Sequence, residues 1–191
     1  GDAMGQLFVK TYFPEKTKKR YEKLVDEIAI SYQEQIEKLD WMSDTTKKMA
    51  VKKLHSITKK IGYPNKWKNY STMTISRNSY CANVMESNRW HFNYQVEKLN
   101  KAVDREEWDM TPQTYNAYYN PSNNEIVLPA AIFTSPGYKD EDIDDAVIYG
   151  YVGASTIGHE LTHGFDDQGR QYDEKGNLEN WWTKEDEKKF N

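Results

Sequence analysis

The sequence predicts a mainly α-helical fold with a small β-hairpin or sheet (α+β), on three observations. Apolar residues recur at three- and four-residue steps through much of the first half of the chain. One aromatic and β-branched stretch is broken by a cluster of turn residues. A later apolar helix carries His159-Glu160-Leu161-Thr162-His163.

From Pro14 to about Leu39, Tyr21, Leu24, Val25, Ile28, Tyr32, Ile36 and Leu39 share one helical face and define a long amphipathic helix. Ser43 or Asp44 can cap a second helix. Its apolar line is expected to run through Ala50, Leu54, Ile57 and Ile61 before Gly62 and Pro64 end it. Tyr63 to Ser79 is polar and turn-rich and reads as loop. Asn78 or Ser79 then starts a third helix, with Val84, Met85, Phe92, Val96, Leu99 and Val103 expected on its inward side.

After Trp108 the character changes. Tyr115 to Tyr119 and Ile126 to Leu128 flank Asn120-Pro121-Ser122-Asn123-Asn124, which predicts a β-hairpin whose second strand closes at Pro129. Asp142 to Asp145 suit a helix N-terminus, and from Ala146 the chain reads helical through His163. Gly150 and Gly153 inside that helix each cost about 1 kcal/mol against alanine. Their presence predicts close backbone approach and deep burial. No repeat, low-complexity segment or linker is visible, so the chain divides simply into a helical segment, 1–110, and a motif-bearing segment, 111–191.

With 191 residues, 37% hydrophobic and 14% aromatic, the chain can build a packed core. A net charge of −4 and a pI near 5.7 argue against nucleic acid as a partner. Charge is uneven: Lys47 to Asn69 holds eight lysines and no acid, whereas Asp140 to Asn191 holds fourteen acids against five bases. The lysine run reads as a solvated helix face or as a contact surface for another part of a larger protein. Cys81 is the single cysteine, so there is no internal disulfide, which fits a bacterial cytoplasmic or cell-surface setting. No apolar run approaches the ~20 residues that span a bilayer. Gly1 in place of Met, and an end at Asn191 inside a starting helix, suggest a piece of a longer protein.

On a helix, residues four apart share a face, so His159 and His163 can direct their rings at one ion. Glu160 is rotated about a quarter-turn away, off the metal but within reach of a water on it, as a general base would be. Ile157, Leu161 and Phe165 place the pair on an apolar helix. A catalytic zinc takes three protein ligands and a water. The extended pattern with glycine and a third histidine is excluded by Asp166 and Gly169. Glu179, Glu185 and Glu187 are conceivable ligands, although Thr183 and Asp186 resemble a helix cap with acids in its first turn. His55 and His91 are better explained by surface exposure and packing.

The stretches "NAYYNPSNNEIVLPAAIF" and "IGHELTHGFDDQGRQYDEKGNLENWWT" resemble the neprilysin family of zinc metallopeptidases, most closely its disulfide-free bacterial endopeptidase O branch. The upstream "LFVKTYFP", "LDWMSDTTKKMAVKKL" and "IGYPNKW" resemble the segment that precedes the catalytic motif in these enzymes. The resemblance implies a zincin-type active-site helix, one catalytic zinc held by His159 and His163, Glu160 as base, and Asn116 and Ala117 holding the substrate main chain. It implies oligopeptide substrates hydrolysed through a zinc-bound water. Residues 111–191 would be the first part of a catalytic domain, and the remainder of that domain a partner. The family's third ligand, a glutamate in Glu-x-x-x-Asp, is expected beyond Asn191, so this chain alone is expected to be inactive, with zinc weak or absent. The alternative is a non-catalytic peptide- or protein-binding domain that uses the Lys47 to Asn69 face or the hairpin edge.

Overall fold

The computed structural model describes residues 1–191. Its centre is strand β3, Glu125–Pro129, every residue of which is buried. Strand β1, Thr58–Gly62, runs parallel to β3 with Thr58 opposite Glu125 and Gly62 opposite Pro129. Strand β2, Tyr118–Asn120, runs antiparallel on the other side, with Tyr118 opposite Val127. The order β1-β3-β2 covers both edges of β3 and leaves β2 with a free edge. A strand flanked and covered on both faces takes a continuous apolar run, which Ile126-Val127-Leu128 supplies. The predicted hairpin is present, and Asn124 closes it in the left-handed region at φ 48°.

β1 corrects the reading of Ile57 and Ile61 as helix. Helix α3, Asp44–His55, is capped by Ser43, whose Oγ accepts from the Thr46 N–H, and ends before Ile57. Residues four apart share a face of a helix and of a strand alike, so this spacing could not separate the two. Pairing with β3 decides for the strand.

Helix α2, Glu15–Lys38, lays Tyr21, Leu24, Val25 and Ile36 into the core. Phe13, Tyr21 and Phe133 stack there, with Tyr21 and Phe133 ring centroids 4.2 Å apart. Helix α1, Asp2–Tyr12, which apolar spacing does not announce, buries only Gly5 and Val9.

The chain forms two compact units: Gly1–Pro64 with Trp108–Asn191, and Asn65–Glu107. The second holds helix α4, Tyr80–Val96, capped by Ser79 as expected. However, α4 buries no residue and ends at Val96, short of Leu99 and Val103, and Met85, Phe92, Leu99 and Val103 are all at least two-thirds exposed. The expected inward face is therefore corrected. Within this unit the packing is aromatic instead: Trp90 lies against Tyr70 and Tyr94, with centroids 4.5 and 5.2 Å away.

In the first unit, Asp144 caps helix α5, Asp145–Ile148. It continues as a π-helical stretch, Tyr149–Gly158, and then as α6, His159–His163. The predicted helix is present but wound differently. One side is buried through Ile148, Val152, Gly153, Ile157 and Leu161, while Val147, Tyr149 and Tyr151 are exposed. Gly153 explains itself, since a Cβ there would sit 3.1 Å from Ile28 Cδ1 of α2. A Cβ on Gly150 would meet nothing within 4 Å, so deep burial of the whole helix is corrected to burial of one face.

The lysine run is a solvated face only in part: Lys48, Lys52 and Lys66 are exposed, but two of its members are interior. Lys53 is 1% exposed and Lys60 is 6% exposed, the latter 2.8 Å from buried Glu125. Lys53 Nζ donates to the carbonyls of Gly164, Gly169 and Tyr172, each at 2.7 Å. Burial pulls its pKa down to about 8, with Asp173 and Asp166 opposing, so it is protonated at neutral pH and its three N–H donors match three acceptors. At the other end of α3, buried Asp186 accepts from the Ser43 N–H and from the hydroxyls of Ser43, Thr46 and Thr183, at 2.5 to 3.0 Å. Thr183 also caps helix α7, Lys184–Phe190, as the sequence suggested. Thus α3 is fastened at both ends.

Lys53→Met leaves the buried Gly164 carbonyl without its donor and takes one of two donors from the Gly169 and Tyr172 carbonyls, which keep the Tyr172 N–H and the Trp181 indole N–H, and should cost about 2 kcal/mol or more in denaturant unfolding. Burial pushes the Asp186 carboxyl up, but its hydroxyl and N–H donors outweigh that and hold it well below the usual 3.8. Its stabilisation is therefore complete above that value and lost as pH falls through the lowered one. Asp186→Asn should cost roughly 2–3 kcal/mol at pH 7 and flatten the loss of stability on acidification, read by urea titrations at neutral and acid pH.

Candidate active site

Ile157 and Leu161, both fully buried, fasten the end of the helix to the interior. The same rotation leaves His159 and His163 exposed and recesses Glu160 to 7% exposure. The two Nε2 atoms stand 3.0 Å apart with their ring planes at 86°. Zinc binds imidazole nitrogen at about 2.0–2.1 Å, which brings two nitrogens on one ion to roughly this separation, so the pair fits zinc.

The other nitrogen of His163, Nδ1, faces Asp166 Oδ2 at 2.8 Å, which fixes the ring and leaves Nε2 free to ligate. Asp166 Oδ1 accepts from the N–H groups of Gln168 and Gly169, at 3.0 and 2.7 Å. Burial pushes the Asp166 carboxyl up, but the Gly169 N–H, His163 and the Gln168 N–H together hold it below the usual aspartate range. The turn closes so tightly that a Cβ on Gly169 would lie 1.8 Å from the His163 carbonyl oxygen, and only glycine fits.

Glu160 sits differently. Burial raises its pKa above 4.5, partly offset by His159, His163 and the backbone N–H of Tyr119. A recessed carboxyl shifted toward neutrality beside a convergent imidazole pair suits proton transfer. The cleft in front of it, about 260 Å³, is lined by Tyr115, Asn116 and Ala117 on one segment, by Tyr151, Ser155, Thr156, His159 and Glu160 on the helix, and by Ile132. Tyr115 and Tyr151 join the two segments through their hydroxyls, 2.5 Å apart. Asn116 and Ala117 lead into the free-edged strand β2, and the Asn116 Oδ1 accepts from the Ala117 N–H at 2.9 Å.

The structure thus brings together all five residues singled out in the sequence: His159, Glu160, Asn116 and Ala117 line the cleft, and His163 meets His159. It does not bring a third ligand to them, for no group of three or more His, Cys, Asp or Glu side chains is placed to hold a metal ion. Glu187 pairs with Arg170 at 2.7 Å and Glu185 with Lys189 at 3.3 Å, while Glu179 is exposed. His55 bonds Gln33 at 2.7 Å and His91 the Ser87 carbonyl at 2.8 Å. In the sequence Asp166 stands out only for the pattern it breaks. Its place three residues after His163, at a helix end, was the available signal for a partner of that ring. Lys53 left no such signal.

Two convergent imidazoles and a recessed carboxylate on one helix, facing an edge strand, match the arrangement of a zincin-type helix. Two models of peptidase family M13 match the chain, over residues 1–64 and 116–191. It is similar to the endothelin-converting enzyme homolog of Locusta migratoria, 37% identical over 96% of this chain and 26% of that protein. Endothelin-converting enzyme 1 of Bos taurus is 39% identical over 95% of this chain and 25% of its own length. Among solved structures, zinc metalloprotease Zmp1 of Mycobacterium tuberculosis in complex with inhibitor superposes with TM-score 0.88 at 47% identity, over 99% of this chain and 28% of that one. PepO from Lactobacillus rhamnosis gives TM-score 0.88 at 34% identity, over 99% and 30%. The chain belongs to peptidase family M13, the neprilysin family, and is of the PepO-like kind the motifs suggested. It spans about a quarter of the length of the curated relatives it matches. No helix is long and apolar enough to cross a membrane.

If the imidazole pair is the metal-holding element, zinc retained by the chain should be released by His159→Ala and by His163→Ala alike. Equilibrium dialysis with metal analysis checks this.

Proposed function

We propose that this chain supplies the imidazole pair, the general base and the main-chain binding segment of a zinc-dependent endopeptidase acting on oligopeptides. What carries the reading is the placing of convergent His159 and His163 beside recessed Glu160, in the cleft that Asn116 and Ala117 also line. Family membership supports the same chemistry.

His159 and His163 would hold the zinc through Nε2, with Asp166 orienting the second ring. A zinc ion held there supplies Lewis acidity toward water and the scissile carbonyl. An extended peptide adds to the free edge that begins at Asn116 and Ala117, where backbone hydrogen bonds align it. The Asn116 amide both donates and accepts, and it can exchange its bond to the Ala117 N–H for one to the substrate. Glu160 takes the proton of the attacking water and returns it to the leaving amine. The third zinc ligand, in this reading, comes from residues of the parent protein outside these 191, so the chain by itself cleaves little or no peptide.

A non-catalytic binding domain working through the Lys47 to Asn69 face finds less support. Lys53 and Lys60 are buried, and Lys52 and Lys59 pair with Glu174 and Asp26 at 2.5 and 2.6 Å.

In a longer protein containing this chain, Glu160→Gln should lower kcat/KM for a fluorogenic oligopeptide by about 10²-fold or more while zinc content stays constant. Undiminished cleavage would remove Glu160 from the mechanism. Asn116→Ala should cost on the order of tenfold, since it removes one aligned polar contact.

A further inference from the structure

The proposed chemistry makes no use of Lys53, yet this side chain ends beside it. We propose that Lys53 is a positioning residue for the metal site, acting on His163 through the turn that holds Asp166.

The chain of contacts is short. Gly164 directly follows His163, and Lys53 Nζ bonds its carbonyl at 2.7 Å. Gly169 ends the turn, and Lys53 bonds that carbonyl at 2.7 Å as well. One ammonium therefore pins both ends of the loop from 164 to 169. Asp166 lies inside the loop with its Oδ1 held by the Gly169 N–H, so that Oδ2 meets His163 Nδ1 at 2.8 Å. At the two carbonyls that Lys53 holds the hydrogen bonds are buried, as are Gly164, Phe165 and Gly169, although the loop exposes Asp167 and Gln168 between them. Carbonyls past a helix end need a donor there, and a cation is favoured at a helix C-terminus. Lysine is the side chain that places three donors on one atom, and all three are used. A merely space-filling residue at the end of α3 would need none of them.

Lys53 also accepts at its own carbonyl from Asn124 Nδ2, at 3.2 Å, and Asn124 Oδ1 accepts from the Tyr119 hydroxyl at 2.9 Å. These contacts run through the backbone of Lys53 and survive its substitution. Side-chain variants therefore test the ammonium alone.

The first readout needs no zinc. In the metal-free chain at about pH 7.5, nitrogen-15 NMR should show His163 as a single Nδ1–H tautomer, held by Asp166. Lys53→Met should give a mixture of tautomers. Asp186→Asn, which weakens the opposite end of α3, should keep the wild-type signature. The second readout rests on the zinc reading above. By chelator competition, Lys53→Met and Asp166→Asn should each weaken zinc binding 10–100-fold, and the double variant no further than the stronger single one.

A folded Lys53→Met with a wild-type His163 signature and affinity would overturn the proposal. So would an equal loss in Asp186→Asn, which would reduce Lys53 to general stability. Should Lys53→Met lack the near-ultraviolet circular dichroism of the folded chain, Lys53→Arg carries the same comparison. It keeps the charge, but its planar fork cannot aim three donors from one atom. Zinc that survives His163→Ala would overturn the zinc reading, while the tautomer result would still decide the role of Lys53.

Discussion

The burial of one ammonium governs much of this structure. A helix that ends inside a protein leaves carbonyls without partners, and the segment after His163 ends in a place water does not reach. Lys53 donates to the Gly164 carbonyl at that end, and to those of Gly169 and Tyr172 beyond it, from another helix more than a hundred residues away in sequence. Because it does, the loop from Gly164 to Gly169 can fold tightly enough to demand glycine at its end and to present Asp166 to a histidine. The opposite end of α3 is held by Asp186 in an equally closed set of hydrogen bonds. The first and last parts of the chain are thereby fastened to one strut, with the sheet beside it.

Within that frame, chemistry follows from how one short helix divides its residues between interior and solvent. Ile157 and Leu161 point inward, the histidines outward, and Glu160 falls between. The residues of a single five-residue motif thus meet three environments, with Leu161 inside, the histidines outside and Glu160 between. The imidazoles keep access to solvent, whereas the carboxylate is partly dehydrated and shifts upward. No charged partner is needed to make the carboxylate a better base, because position alone supplies the effect.

The motif and the hairpin were legible in the sequence because both are written in local spacing. Residues four apart on a helix converge whatever surrounds them, and Pro-Ser-Asn-Asn between apolar runs turns the chain wherever it stands. Three other features needed information that spacing does not hold. Ile57 and Ile61 fit a helix and a strand equally, and only β3 chose between them. The apolar face expected from Val84 to Val103 lies on a helix only as far as Val96, and periodicity names a face without providing anything to cover it. The lysine run looked solvated because lysine usually is. What made Lys53 and Lys60 interior residues was a set of carbonyls and one glutamate brought from far along the chain.

The π-helical stretch before the motif carries a consequence of its own. Along any helix, the heading of a side chain is the running sum of the turns made by every residue before it. Tyr149 to Gly158 wind more slowly than an α-helix does, so His159 inherits a phase that an α-helical lead-in would not deliver. The aim of the histidines is in this sense set upstream, by ten residues that mostly have no chemistry to perform. Loss or gain of one residue there would rotate the whole motif like a key turned in its lock, leaving every ligand intact and none of them facing the cleft.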